Sequence, residues 1–287
     1  MPNVNKKILK SEIEAAIIIV FLSIGLFFLP NHTIDPWDLF NPWRFGIIIL
    51  LIASMQFGGY FAIRTLGHRI GIALVGFFGG FISSTVIFLT LPEIYKERSE
   101  LLFPTIAAAI LATVGMLVEF LIILYSLSSV LYNIFLQPIL VMMLVGMAIT
   151  LFLTQGKDKG KAKPHLSFRK MNPLDLKSSL KLALLLFSML ILITVTIRYM
   201  GTQSGALVSF LAGLFELHSI SIATSTLYVH EQISLLDAKL LLSLALLGAF
   251  ISKFIIVCIL SRNRFGLFTS LYLGIMLIVG SAVFFLK

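Results

Sequence analysis

GIALVGFFGGFISSTVIFLT, Gly71 to Thr90, is long enough to cross a bilayer but is built unlike an ordinary membrane helix. Gly76, Gly79 and Gly80 stand at its middle, and Ser83, Ser84 and Thr85 follow at once. A glycine in a helix interior costs about 1 kcal/mol relative to alanine. Three glycines beside three hydroxyls predict backbone that breaks, or packs very closely, at membrane depth. Such backbone is tolerated only where protein or a water-filled cavity surrounds it. A second stretch of this kind, GALVSFLAGLFELHSISIATST, runs from Gly205 to Thr226. It carries Gly213, Glu216, His218, Ser219, Ser221, Thr224, Ser225 and Thr226 in an apolar frame. Ionisable groups at that depth are costly and mark functional positions.

The surrounding chain fixes the class. Of 287 residues, 59% are hydrophobic and 12% charged, and the mean hydropathy is +1.03. Apolar runs of about 20 residues recur, which predicts an all-α integral membrane protein with many crossings. A soluble domain would have to bury nearly every helix on all sides. The runs are continuous rather than alternating, which argues against a β-barrel. The net charge of +9 does not point to nucleic acid, because half of the basic residues gather in two segments, as positive-inside bias predicts. The single cysteine, Cys258, excludes an intrachain disulfide and a cysteine metal cluster. The first apolar run lacks a small-residue cleavage site behind it and reads as a retained helix.

Four parts follow in order. Residues 1–40 hold a basic head (Lys6, Lys7, Lys10), a first helix and a polar loop; residues 41–154 form a first membrane unit. Residues 155–171 are a basic cytoplasmic linker, and 172–287 a second membrane unit. The units read as repeats. Ile63-Arg64-x-x-Gly67 with Gly71 matches Ile197-Arg198-x-x-Gly201 with Gly205 at an offset of 134. Met142, Val145, Gly146 and Ala148 match Met276, Val279, Gly280 and Ala282 at the same offset.

Charge decides the repeat type. If every run crossed once, the loop bearing Lys157, Lys159, Lys161, Lys163, Arg169, Lys170, Lys177 and Lys181 would fall outside, against the positive-inside tendency. If Gly71–Thr90 and Gly205–Leu227 dip in and return, that loop lies inside and each unit has an odd number of crossings. The two units are then inverted, with discontinuous segments meeting at the midplane, a plan of secondary transporters. Parallel four-helix repeats are the alternative that charge bias leaves open.

Three groups of residues can carry chemistry. Glu119 and Lys253, 134 apart and each in an apolar run, are candidates for an intramembrane ion pair near a pseudo-twofold axis. The competing reading is a helix–helix staple. Glu216 and His218 do not share a helix face, but in unwound backbone they can converge on one site. His218 and Ser221 have hydrogen-bonding spacing, and a histidine suits a proton relay. Cation coordination by Glu216, serine hydroxyls and freed carbonyls is open as well. Ser83, Ser84 and Thr85 can bond back to their own helix instead. No HExxH, G-x-S-x-G or paired-acid motif is present, so no enzyme is expected, no cofactor is assigned, and a metal stays undetermined.

Asn41-Pro42 and the run GGYFAIRTLGHRIGIALVGFFGGFISST carry a likeness. Gly59, Tyr60, Arg64, Gly67, Gly76, Gly79, Gly80, Ser83, Ser84 and Thr85 fall in the pattern G-Y-x-x-x-R-x-x-G followed by G-x-x-G-G-x-x-S-S-T. The chain resembles the domain of unknown function 4010, a membrane domain commonly fused to an MgtC/SapB domain. In its second half the family has Asn-Pro and a Gly-x-x-Asp-x-Asp-like stretch, at whose places Gly213, Glu216 and His218 stand. The resemblance implies a prokaryotic membrane protein and supplies no activity.

The sequence therefore predicts a multi-pass inner-membrane protein with a cytoplasmic N-terminus. The expected function is a transporter or channel for a small solute or ion, ion- or proton-coupled, with a midplane site between the two segments. The rival is a non-transporting membrane regulator or scaffold that binds a protein or lipid, and an intramembrane enzyme is a third alternative. The expected partners are the lipid bilayer and the solute, without nucleic acid; homo-oligomerisation is left open.

Overall fold

A computed structural model describes residues 10–34, 41–66, 72–154 and 176–285. The basic head, the 155–171 linker, Asn172-Pro173, Gly67 and Gly71 lie outside or at the edge of these ranges. The described chain is helical: α1 Lys10–Leu26, α2 Pro42–Leu66, α3 Ile72–Glu97, α4 Leu102–Leu127, α5 Ser129–Thr154, α6 Leu176–Phe215, α7 Leu217–Val229, α8 Leu235–Leu260 and α9 Arg264–Phe285. A short 3-10 turn, Ser99–Leu101, joins α3 to α4. Four helical stretches among the described residues are long and apolar enough to cross a membrane: Ser99–Leu127, Ser129–Thr154, Leu235–Leu260 and Arg264–Phe284. They make the chain a multi-pass membrane protein. Their outward faces carry Leu144, Leu151, Phe152, Ile259, Leu267 and Ile278, large apolar side chains that belong in lipid rather than water.

The core is built around α4. Its sequence is apolar all round, which suits a helix enclosed by others, and nearly every residue from Thr105 to Leu124 is buried. Small residues on α4 let neighbours approach closely, as membrane interfaces require. A methyl group on Gly76 would overlap the Ala108 backbone, and one on Gly80 would stand 2.5 Å from the Ala112 carbonyl. Thr105 and Thr113 satisfy their hydroxyls on the carbonyls of Leu101 and Ala109, so they cost little in an apolar core. α3, α5, α7 and α9 pack around α4, while α6 and α9 lean on α8. α1 and α2 form a small side cluster through Ala15, Ile18 and Ala53.

Three interruptions matter. Ser83 sits within α3 in extended backbone (φ −171°, ψ 108°), which divides the helix into two segments. Glu216 is likewise extended (φ −154°, ψ 105°) and separates α6 from α7. The apolar run Gly205–Leu227 is thus two helices, not one. Gly201 breaks α6 earlier, at φ +80° and ψ 172°, a conformation that side chains disfavour. Gly201→Ala should lower stability by about 1 kcal/mol or more, read as a lower melting temperature in detergent, although no neighbour among the described residues stands within 4 Å of the added methyl.

The contacts on either side of the first two breaks recur. Gly80 lies on Ala112, and Gly213 lies on Ala245. Gly115 faces the Phe77 carbonyl, and Gly248 faces the Phe210 carbonyl. Each pair is 133 residues from its counterpart, as Ser83 is from Glu216. Along α3 and α4 the residue numbers of the close contacts rise together, 76 with 108 and 80 with 112, so residues 72–82 run parallel to α4.

Candidate functional site

The site forms where α7 begins. The extended backbone at Glu216 lets its carboxylate turn back and cap the new helix, accepting from the His218 backbone N–H at 3.2 Å. The same Oε1 lies 2.8 Å from His218 Nδ1. The other side of the imidazole, Nε2, lies 2.9 Å from Glu119 Oε2 on α4. An imidazole therefore bridges two carboxylates, one local and one 99 residues away. The contact to Glu119 is short but not aligned as a hydrogen bond, and Glu119 Oε1 has no hydrogen-bond partner among the described residues. Glu119 is fully buried, while Glu216 keeps 30% of its side chain exposed.

A neutral imidazole has one N–H and one bare nitrogen. It can donate to only one carboxylate; towards the other it turns a lone pair. Both short contacts are satisfied together only when a second proton is held in the group, on the imidazole or on a carboxyl. The arrangement can thus take up and give up a proton, and the loss of that proton leaves one contact unfavourable.

Lys253, on α8, is a further ionisable group beside these three. Its ammonium donates to the Ala249 carbonyl at 3.1 Å and to the Met116 thioether at 3.1 Å, and lies 5.8 Å from the centre of the Phe88 ring. Met116 and Glu119 are three apart on α4 and share a face, so Lys253 neighbours the Glu119–His218 pair. Glu119 is thus joined to His218 and not to Lys253, and the ion pair expected from the 134 offset is absent.

The remaining candidates divide. Gly76, Gly79 and Gly80 are buried at or beside the α3–α4 crossing, and Gly213 at the α6–α8 crossing. Ser83 caps the second half of α3, accepting from the Val86 N–H at 3.3 Å. Ser84 is buried and Thr85 half-buried in the next turn. Ser221 donates to the Leu217 carbonyl at 2.7 Å rather than to His218, because its own preceding turn offers the nearer acceptor. Ser219, Thr224 and Ser225 are fully buried on α7, and their hydroxyls have no hydrogen-bond partner among the described residues. Among the described residues no three His, Cys, Asp or Glu side chains are grouped to hold a metal ion. Both imidazole nitrogens point at carboxylates, so the three groups do not converge on one point. Met116, Ala249 and Phe88, the surroundings of Lys253, were not anticipated; nothing local in the sequence marks them.

Residues 50–261 match the family model described as Domain of unknown function (DUF4010). No curated protein and no solved structure matches the chain.

Proposed function

The chain belongs to the domain of unknown function 4010 family, and from that premise we propose that it is a proton-coupled transporter of a small solute in a prokaryotic cell membrane. The observation that carries the proposal is the Glu119–His218–Glu216 chain, fully buried at its Glu119 end, which ties α4 of the first membrane unit to the restart of α7 in the second. Buried acid–imidazole groups inside a membrane bundle are costly to keep and suit proton transfer. A purely structural staple would need one such pair, not three ionisable groups at a helix break.

The breaks support a re-entrant arrangement. Residues 72–82 run parallel to α4, yet residues 84–97 lead into α4 through a tight turn. Both hold if the first half of α3 enters, breaks at Ser83 and returns to its own side. The recurrence of these contacts 133 residues on supports the same course for α6 and α7, and with it an inverted pair of units. Two half-helices, capped by Ser83 and Glu216, then begin inside the bilayer.

Proteoliposomes containing a pH dye, with valinomycin and equal potassium on both sides, and given an acid-outside pH step test the reading. Wild-type protein should acidify the interior, alone or on addition of solute, and Glu216→Gln should fall to the level of empty liposomes. Equal traces for wild type, variant and empty liposomes would favour the scaffold reading instead.

A further inference from the structure

We propose that the Lys253 ammonium is the docking point of a small monovalent anion, carried together with the proton held by Glu119, His218 and Glu216. The inference rests on the transport reading above and adds its substrate class.

Glu119, His218 and Glu216 face one another. Lys253 stands apart: it is 2% exposed, and no carboxylate among the described residues lies within 4.0 Å of its ammonium. An ammonium has three hydrogens to place and a charge to balance. Here two hydrogens meet a carbonyl of its own preceding turn and a thioether, which is a weak acceptor. The Phe88 face at 5.8 Å adds a modest cation–π attraction. None of these supplies a negative charge. Burying an ammonium costs several kcal/mol, and an apolar side chain of the same length would serve packing better. The Glu216 carboxylate bears on Lys253 only across a wider gap.

The surroundings favour an anion over a cation. Both carboxylates already face His218, so a metal cation entering here would meet an unpaired ammonium first. Ser84 and Thr85 precede Phe88 by four and three residues and share its face of α3. Phe88 is five residues past Ser83, so its contact with Lys253 puts the ammonium beside the first turns of that half-helix, whose N-terminal end favours negative charge. One ammonium balances one charge, so the ligand is monovalent. Lys253 and Glu119 are closed off from solvent, so it is small. An anion at Lys253 and a proton at His218, one turn apart along α4, attract each other in a medium of low dielectric. Each then strengthens the binding of the other, which is the coupling that symport needs.

The test uses the full chain in detergent, its melting temperature followed against acetate, nitrate and chloride as choline salts. Ionic strength is held constant with bulky gluconate. At least one of the three small anions should raise the melting temperature saturably. Lys253→Met, which keeps volume and removes the charge, should melt like wild type or higher in gluconate. It should need at least about tenfold more anion, about 1.4 kcal/mol, whereas Lys253→Arg should keep the response. The proposal is overturned if Lys253→Met responds like wild type, if none of the three anions saturates, or if sodium replaces the anion as the stabilising ion. The two readings separate cleanly. Anion binding through Lys253 without any flux in liposomes upholds the site and sinks the transport reading; proton flux without anion binding does the reverse.

Discussion

Gly80→Val costs about 3 kcal/mol or more and leaves a protein that melts early or fails to assemble. The methyl groups of valine would enter the space of the Ala112 backbone, whose carbonyl stands 2.5 Å and whose Cα 2.9 Å from the first added carbon. Backbone cannot rotate away as a flexible side chain can, so α3 must lift off α4, and overpacking of this kind is destabilising. α4 is the core of the bundle, and Phe88, Ile106, Ile110 and Leu117 of the same cluster are fully buried. Losing the crossing therefore loosens more than one contact. Gly58→Ala is the control. It lies in α2, where an added methyl meets nothing within 4 Å among the described residues, and alanine is the better helix former. It should leave the melting temperature unchanged or raise it slightly.

His218→Ala is the second large effect, and it acts on stability and flux at once. Removal of the imidazole strands the Glu119 carboxylate, which is fully buried and has no other ionic partner among the described residues. Breaking a buried pair by deleting one partner costs about 3–5 kcal/mol if the survivor stays charged. Glu119→Gln alone removes a charge from the other end. In the double variant Glu119→Gln/His218→Ala the stranded charge is gone, so the losses should not add. A coupling of about 1–3 kcal/mol is expected from the four melting or denaturant curves. Strict additivity would mean that the 2.9 Å contact does not matter in the folded protein. Flux should be absent in all three variants, including the double variant that regains stability. That pattern separates a working group from a structural one.

Much of the fold could be read locally. Apolar runs of membrane length are a property of each segment by itself, and the helices fall where those runs lie. Gly76, Gly80 and Gly213 announced close approach, because no other residue type gains from their place in an apolar helix, and each meets backbone of the next long helix. The breaks were also marked, by Ser83 and Glu216, although the residue that breaks could not be told from its neighbours. What was not legible is which distant side chains meet. The motif offset of 134 paired Glu119 with Lys253, but the close crossings recur at 133: Gly80 with Gly213, Gly115 with Gly248, Ser83 with Glu216. One residue turns a side chain by about 100° around a helix. A register wrong by one therefore aims Lys253 at the wrong neighbour. His218 meets Glu119 because α7 lies against α4, and no pattern within either helix records that.

The central claim is that both broken segments enter and leave on the same side. Cys258 is the single cysteine and is exposed, so it is first replaced by alanine. Leu66→Cys and Arg98→Cys flank α3; Gln203→Cys and Gln232→Cys flank the α6–α7 break. Each is labelled on intact cells with a thiol reagent that does not cross the membrane. The account predicts that the members of each pair label alike, and that the two pairs label oppositely. If Leu66→Cys and Arg98→Cys label from opposite sides, α3 crosses the membrane outright, and the inverted arrangement with its midplane site is wrong.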